Sequence, residues 1–137
     1  MSLDLTVEQK AHLGRIAAKQ FLKITDLWQL TDDQRRVLAG AATRTTISTW
    51  RKRVNTLDEL QLGNDTYERL ICIAAIERAL EKTVEPEPEC LAATLRQPQA
   101  ELENLSLLEQ MLNGRVIDLY NTQYYLESKP ATLSYAI

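Results

Sequence analysis

The chain has 137 residues, a formal net charge of −3 and 45% hydrophobic residues, with four glycines and four prolines. These values exclude a wholly disordered chain and a collagen, and they fit one ordinary domain that buries about two-thirds of its unfolded surface. No run of residues approaches the roughly 18 consecutive apolar residues of a membrane span, and Met1–Lys10 lacks the apolar segment of a secretory signal.

Two cysteines and one histidine give neither a disulfide framework nor a set of metal ligands. The sequence also has no glycine-rich phosphate loop and no Gly-x-Ser-x-Gly motif. We therefore expect a cytoplasmic protein with no metal, no cofactor and no catalytic residue. His12 is expected to be a partly exposed structural residue, and Cys72 a core residue.

Capping signals and apolar spacing predict three helices in the first part of the chain. Thr6–Gln9 and Thr31–Gln34 are capping boxes, which mark helix starts. Gly40 is a typical residue for a helix end, and Thr43 is a suitable N-cap for a third helix that continues to about Arg53. The buried face of the first helix is predicted from apolar residues spaced by three and four, namely Leu13, Ala17, Phe21, Ile24 and Trp28.

Four more helices are predicted in the second part. The longest begins near Asp65, and its wide apolar face indicates the centre of a bundle; the proline-rich Glu85–Glu89 ends it. A short helix follows from about Cys90 to Arg96, and the capping box Ser106–Glu109 opens another. The last is marked by Val116, Ile117, Tyr120 and Tyr124. The predicted fold is all-α, with about seven helices.

Charge is divided unevenly along the chain. Residues 1–62 carry a net charge of +3 and residues 63–137 carry −6. We interpret residues 1–62 as one region, 63–130 as a second helical region and 131–137 as a C-terminal tail. The stretch 43–53 holds four basic residues and no acid, so it is able to bind phosphates that the mean charge would repel.

Residues 31–53 have the layout of a helix-turn-helix: a short capped helix, a turn after glycine, and a helix with a basic end. In such a unit the first turns of the second helix face base edges, while its other polar residues hold phosphates. The predicted base-reading residues are Arg44, Thr45, Thr46 and Ser48, and the predicted phosphate contacts are Arg51, Lys52 and Arg53. The alternative is a pair of packed helices that touches no DNA, with a basic helix end that favours the helix dipole.

The motif residues resemble those of Xre/MbcA/ParS-type antitoxins. The segments Leu27–Gly40 and Thr43–Trp50 resemble the helix-turn-helix of that family, with Ile47 at an aromatic position. Leu91–Gly114 resembles its C-terminal toxin-binding region. The chain keeps the pattern at Leu95, Pro98, Leu108, Met111, Leu112 and Gly114, and departs from it at Thr94, Gln99, Asn104 and Leu107.

The resemblance implies an all-α antitoxin of a type II toxin–antitoxin pair, which forms a homodimer, binds operator DNA and blocks a protein toxin. It also implies that this toxin consumes NAD and has an ADP-ribosyltransferase-like fold. An acidic second half suits a basic protein surface. The residues predicted to contact the toxin are Tyr124, Tyr125, Leu133, Ser134, Tyr135 and Ile137. Core packing is the alternative for the tyrosines, and we favour it for Tyr120 and Tyr124.

Two other functions stay open at this point. The chain would be a stand-alone helix-turn-helix regulator if its C-terminal bundle only dimerises. It would be a protein-interaction adaptor if the basic stretch binds no DNA.

Overall fold

The computed structural model describes residues 6–41, 43–56, 60–85 and 87–129. These residues form seven α-helices and one 3₁₀ turn at Ala100–Leu102, and they contain no β-strand, so the fold is all-α as predicted. The helices are α1 (Val7–Leu27), α2 (Asp32–Ala39), α3 (Arg44–Arg53), α4 (Asn64–Glu81), α5 (Pro88–Arg96), α6 (Leu107–Met111) and α7 (Val116–Glu127). None of these helices is long and apolar enough to cross a membrane.

The three predicted capping boxes are confirmed, and they explain where α1, α2 and α6 begin. In each, the hydroxyl of the N-cap residue accepts a hydrogen bond from the backbone N–H three residues later, and the side chain there accepts one in return. At Thr6 the two N···O distances are 3.1 and 2.9 Å, and at Ser106 both are 3.0 Å. Local hydrogen bonds therefore fix these helix starts.

Some predicted helix limits were wrong by a few residues. The central helix α4 starts at Asn64 after Gly63, and its 18 residues make it shorter than α1 with 21. It ends at Glu81, four residues before the proline-rich segment, and the amides of Lys82 and Thr83 there tighten the last turn by donating to the carbonyls three positions back, those of Ala79 and Leu80. Thr43 is the N-cap of α3, but its side chain makes no capping hydrogen bond.

One hydrophobic core joins the two halves of the chain. α4 packs against α1, α2 and α7, as expected of a central helix. Buried residues of α1, α3, α4, α5, α6 and α7 belong to a single cluster, which includes Trp28, Ile47, Ile73, Leu95, Met111 and Leu119. Cys72 is buried in it, as predicted. The boundary that we placed after residue 62 falls in the connection between α3 and α4, and the core is continuous across it.

The end of α1 is held by polar contacts from two later helices. The indole Nε1 of Trp28 donates a hydrogen bond of 2.9 Å to Glu77 of α4, and both residues are buried. The guanidinium of Arg96, on α5, donates to the carbonyls of Trp28 and Gln29, each at 3.1 Å. A cation at these carbonyls is favourable because a helix C-terminus carries partial negative charge.

Candidate functional site

The pairing of α2 and α3 follows from their sequences. α2 ends at Gly40, whose φ of +67° is in the left-handed region where glycine has no Cβ penalty. α3 then packs on the core through Ile47, Trp50 and Val54, which are spaced by three and four and are all buried. Phe21 of α1 meets the ring of Trp50 edge to face, with centroids 6.0 Å apart and planes at 82°. α3 is therefore held by both α1 and α2.

A network of ion pairs ties the end of α3 to the start of α2. The carboxylate of Asp32 accepts hydrogen bonds from Arg51 of α3, at 2.6 Å, and from Arg35 of α2, at 2.9 Å. Arg35 is buried and also donates to Asp26 and, at 2.7 Å, to the hydroxyl of Thr25. These contacts, that of Arg51 first, hold the pKa of Asp32 below its ordinary value. Arg51, a predicted phosphate contact, is thus engaged with a carboxylate.

The side of α3 that faces away from the buried Ile47 and Trp50 carries a row of exposed polar residues. Arg44, Thr45, Ser48 and Lys52 are exposed and share one helical face, since Arg44, Ser48 and Lys52 follow one another at spacings of four and Thr45 is three positions before Ser48. None of their side chains has a hydrogen bond or ion pair within the described residues, and α3 contains no acid. We call these four residues the α3 face. It offers hydroxyl and cationic donors to a ligand rich in acceptors.

Thr46 and Arg53 lie off this row, whereas Arg51 lies beside it and is held by Asp32. Thr46 is partly buried, and helical spacing places Arg53, although exposed, on a different side of α3 from Ser48. The structure thus brings together four of the seven residues predicted to contact DNA. The phosphate-binding roles of Lys52 and Arg53 stay predictions.

A second surface is formed by the C-terminal helices and the loop that contains the 3₁₀ turn. It is an open concavity of about 660 Å³. Its wall includes three carboxylates, one arginine, two tyrosines and an exposed leucine, and we call it the C-terminal concavity. Its lining residues include Glu101, Glu103, Leu105, Asp118, Tyr124 and Tyr125. Both described tyrosines that we predicted to contact a toxin line this surface, while Leu133, Ser134, Tyr135 and Ile137 lie outside the described residues.

The preference for core packing of Tyr120 and Tyr124 was wrong. Tyr124 is 76% exposed and Tyr120 is 41% exposed. The buried side of α7 is instead formed by Leu119, Thr122 and Leu126. Both rows have helical spacing, so apolar periodicity does not decide between them. Burial of Thr122 leaves no unsatisfied hydroxyl, because its side chain donates to the carbonyl of Asp118 at 2.9 Å.

Tyr120 and Tyr125 are oriented by carboxylates. The hydroxyl of Tyr120 donates a hydrogen bond to Glu68 of α4, and this contact raises the pKa of the phenol. The hydroxyl of Tyr125 donates to Glu101 at 3.2 Å and to Gln99 at 3.0 Å. The ammonium group of Lys129 lies over the ring of Tyr125, with its Nζ 4.6 Å from the ring centroid. Tyr124 has no such partner in the described chain, and it stands free at the concavity.

The loop residues of the concavity were missed by the sequence patterns. Glu103 and Asn104 both have positive φ, +57° and +67°, and the turn they form lies between Glu101 and Leu105, which is 37% exposed. The spacing of apolar residues does not predict two consecutive non-glycine residues with a left-handed backbone. Within the described residues, no group of three or more His, Cys, Asp or Glu side chains is able to hold a metal ion.

A relative among known proteins matches most of the chain. The chain is 34% identical over 111 residues to the uncharacterized protein y4oB of Sinorhizobium fredii, and the alignment covers 80% of each protein. No protein-family model matches the sequence. The chain therefore belongs to the same family as y4oB.

Proposed function

We propose that this member of the y4oB family is the antitoxin of a type II toxin–antitoxin pair. In this proposal a homodimer binds operator DNA through the α3 face and represses its own operon, and the C-terminal concavity binds a protein toxin. The observation that carries the proposal is the α3 face itself: four exposed donor residues in one row, without a carboxylate, on a helix that α1 and α2 hold in place.

The α3 face matches what a recognition helix needs. Such a helix enters the major groove and contacts base edges with residues in its first turns. Arg44, Thr45 and Ser48 are in the first two turns of α3, and arginine is the residue that most often contacts guanine through two hydrogen bonds. Lys52 lies two turns after Arg44, where a point charge suits a phosphate. A dimer would present two such helices to two half-sites.

The C-terminal concavity supports the toxin-binding part. An exposed tyrosine and leucine beside Glu101 and Glu103 fit a partner with apolar and basic side chains, because tyrosine is enriched at interfaces and opposite charges steer association. The backbone also agrees with the resemblance. Asn104 has the left-handed φ that favours glycine, near the position where Xre/MbcA/ParS-type antitoxins have one. The NAD-consuming chemistry of the toxin rests on that resemblance.

Co-purification tests the toxin-binding part. The tagged chain is co-expressed with the product of the neighbouring gene and washed at high salt, as wild type and as Tyr124→Ala. The control is Ile16→Ala, which removes another exposed apolar side chain that does not line the concavity. We expect wild type and the control to retain a stoichiometric partner and Tyr124→Ala to lose most of it. Deletion of residues 131–137 tests separately whether the tail contributes.

DNA binding is tested with duplexes from the region upstream of the gene. Arg44→Ala is expected to cost about 1–3 kcal/mol and to relax the preference at one base pair. The control is Arg78→Ala, an exposed arginine of α4 outside the α3 face. DNA binding without any partner would favour a stand-alone regulator, and a partner without DNA binding would favour an adaptor. Absence of both activities would refute the proposal.

A further inference from the structure

A basic cleft lies beside α3 and is not part of the α3 face. It is open, has a volume of about 490 Å³, and runs between the second half of α1 and the C-terminal end of α3. Its polar wall is formed by Lys19, Lys23 and Asp26 of α1 together with Arg51 and Asn55. We call it the α1–α3 cleft. A water molecule occupies about 30 Å³ in the liquid, so a hydrated phosphate enters without rearrangement.

The two lysines of the cleft lie side by side on α1 without a partner of opposite charge in the described chain. Lys19 and Lys23 are one helical turn apart, so their side chains lie on the same side of α1, and both are exposed. Neither forms an ion pair within the described part of the chain. Two like charges at this spacing are mildly unfavourable for a helix. An anion between them would remove that repulsion.

The carboxylates near the cleft are already paired with arginines. Asp26 is the acid among the described residues that line the cleft, and its carboxylate is bound by the buried guanidinium of Arg35. Asp32, next to the cleft through its contact with Arg51, is shared by Arg51 and Arg35. Each carboxylate is therefore paired with an arginine, while Lys19 and Lys23 have no carboxylate partner within the described residues.

We propose that the α1–α3 cleft binds a phosphate of the DNA backbone, with Lys19 and Lys23 as its ligands. This inference rests on the proposed DNA binding by α3. The cleft adjoins the end of α3 that carries Arg51, so a strand passing along the α3 face reaches the two lysines next. Phosphate contacts of this kind fix the register of a protein on the duplex and carry no base preference. Lysine suits the role because its ammonium group is a compact point charge.

The test measures how the dissociation constant depends on salt. Fluorescein-labelled duplexes of the upstream region and of a scrambled sequence are titrated with wild type and with Lys19→Gln/Lys23→Gln, over a series of salt concentrations around the physiological value. The control double variant is Lys10→Gln/Lys82→Gln, which removes the same charge from exposed lysines outside the cleft. Circular dichroism checks that all proteins keep their helices.

The cleft variant is expected to lower the slope of log K against log salt by about 0.9 for each DNA phosphate that it no longer neutralises, equally for both duplexes. The control is expected to change the slope by much less, and Lys19→Arg/Lys23→Arg to keep the wild-type slope. Equal slopes for the cleft variant and the control would overturn the inference while DNA binding by α3 stands. Absence of binding by the wild type to either duplex would overturn both.

Discussion

The substitution Gly14→Ala separates helix propensity from tertiary packing, because the two predict changes of opposite sign in the free energy of unfolding. Gly14 lies in the interior of α1, where alanine stabilises a helix by about 1 kcal/mol relative to glycine. In the folded chain, however, a Cβ at this position would fall well inside 3.0 Å of the carbonyl oxygen of Leu60, and 3.4 Å from Cγ of Leu62. The obstacle is a backbone atom, so rotation of a side chain does not relieve it.

The segment at Leu60 is also fixed in place. Its amide donates to the carbonyl of Ala11 at 3.3 Å, and its side chain is buried in the core. Overpacking of this kind costs about 1–3 kcal/mol, and the upper end applies where backbone must move. Subtracting the propensity gain of about 1 kcal/mol leaves a loss of about 2 kcal/mol. For a chain of this size we expect the melting temperature to fall by roughly 6–8 °C.

Urea unfolding, followed by the fluorescence of the buried Trp28 and Trp50, measures this loss. Gly63→Ala is the matched control, because a Cβ there meets nothing within 4 Å and φ is −65°. Gly63 is the N-cap of α4, where alanine is a poorer residue than glycine, so we expect the free energy of unfolding of this control to fall by at most about 1 kcal/mol, less than that of Gly14→Ala. If Gly14→Ala were as stable as wild type or more stable, the close approach of α1 to Leu60 would be incorrect.

Three further predictions concern the rest of the fold. Burial raises the pKa of Glu77 above its ordinary 4.5, so the folded state keeps a proton that the unfolded state releases. Wild-type stability should therefore fall as pH rises from 4.5 through the folded pKa, and Glu77→Gln, which keeps an acceptor for Trp28, should flatten that dependence in urea unfolding. Gly114→Ala should lower the free energy of unfolding by about 1–2 kcal/mol, since φ there is +89°; an unchanged urea midpoint would contradict this. Residues 1–62 expressed alone should show no cooperative urea transition, because α1 would lose its packing against α4; a sharp transition would argue for an independent domain.

The parts of the fold that the sequence predicts best are those fixed by neighbouring residues. The capping boxes at Thr6, Thr31 and Ser106 each involve residues three apart, so their geometry is independent of the remaining chain. The same holds for Gly40, where one left-handed residue ends α2. The burial of Ile47 and Trp50 was also predictable, because the other residues of α3 are polar and leave one apolar side.

The candidate surfaces were less predictable because they depend on contacts between distant segments. In α7, Leu119, Thr122 and Leu126 compete with Ile117, Tyr120 and Tyr124 for the buried side, and the packing of α7 on α4 and α6 decides between them. The concavity needs the loop around Glu103, which no periodicity marks. The ion pair between Arg51 and Asp32 spans 19 residues, so the sequence of the basic stretch 43–53 does not predict that one of its cations is bound to a carboxylate.

In α3, the residues that hold the helix in place are different from those of its exposed row, and this is the strongest argument that the row has a function. Ile47, Trp50 and Arg51 hold the helix through the core and through Asp32, and they account for its stability. The side chains of the α3 face contribute no hydrogen bond or ion pair to the described chain, yet they include two cations and two hydroxyls and no acid. Substitutions in this row should therefore leave the free energy of unfolding within about 0.5 kcal/mol of wild type. Weaker DNA binding by such variants would then report on the ligand interface alone, because the fold that supports the row does not depend on it.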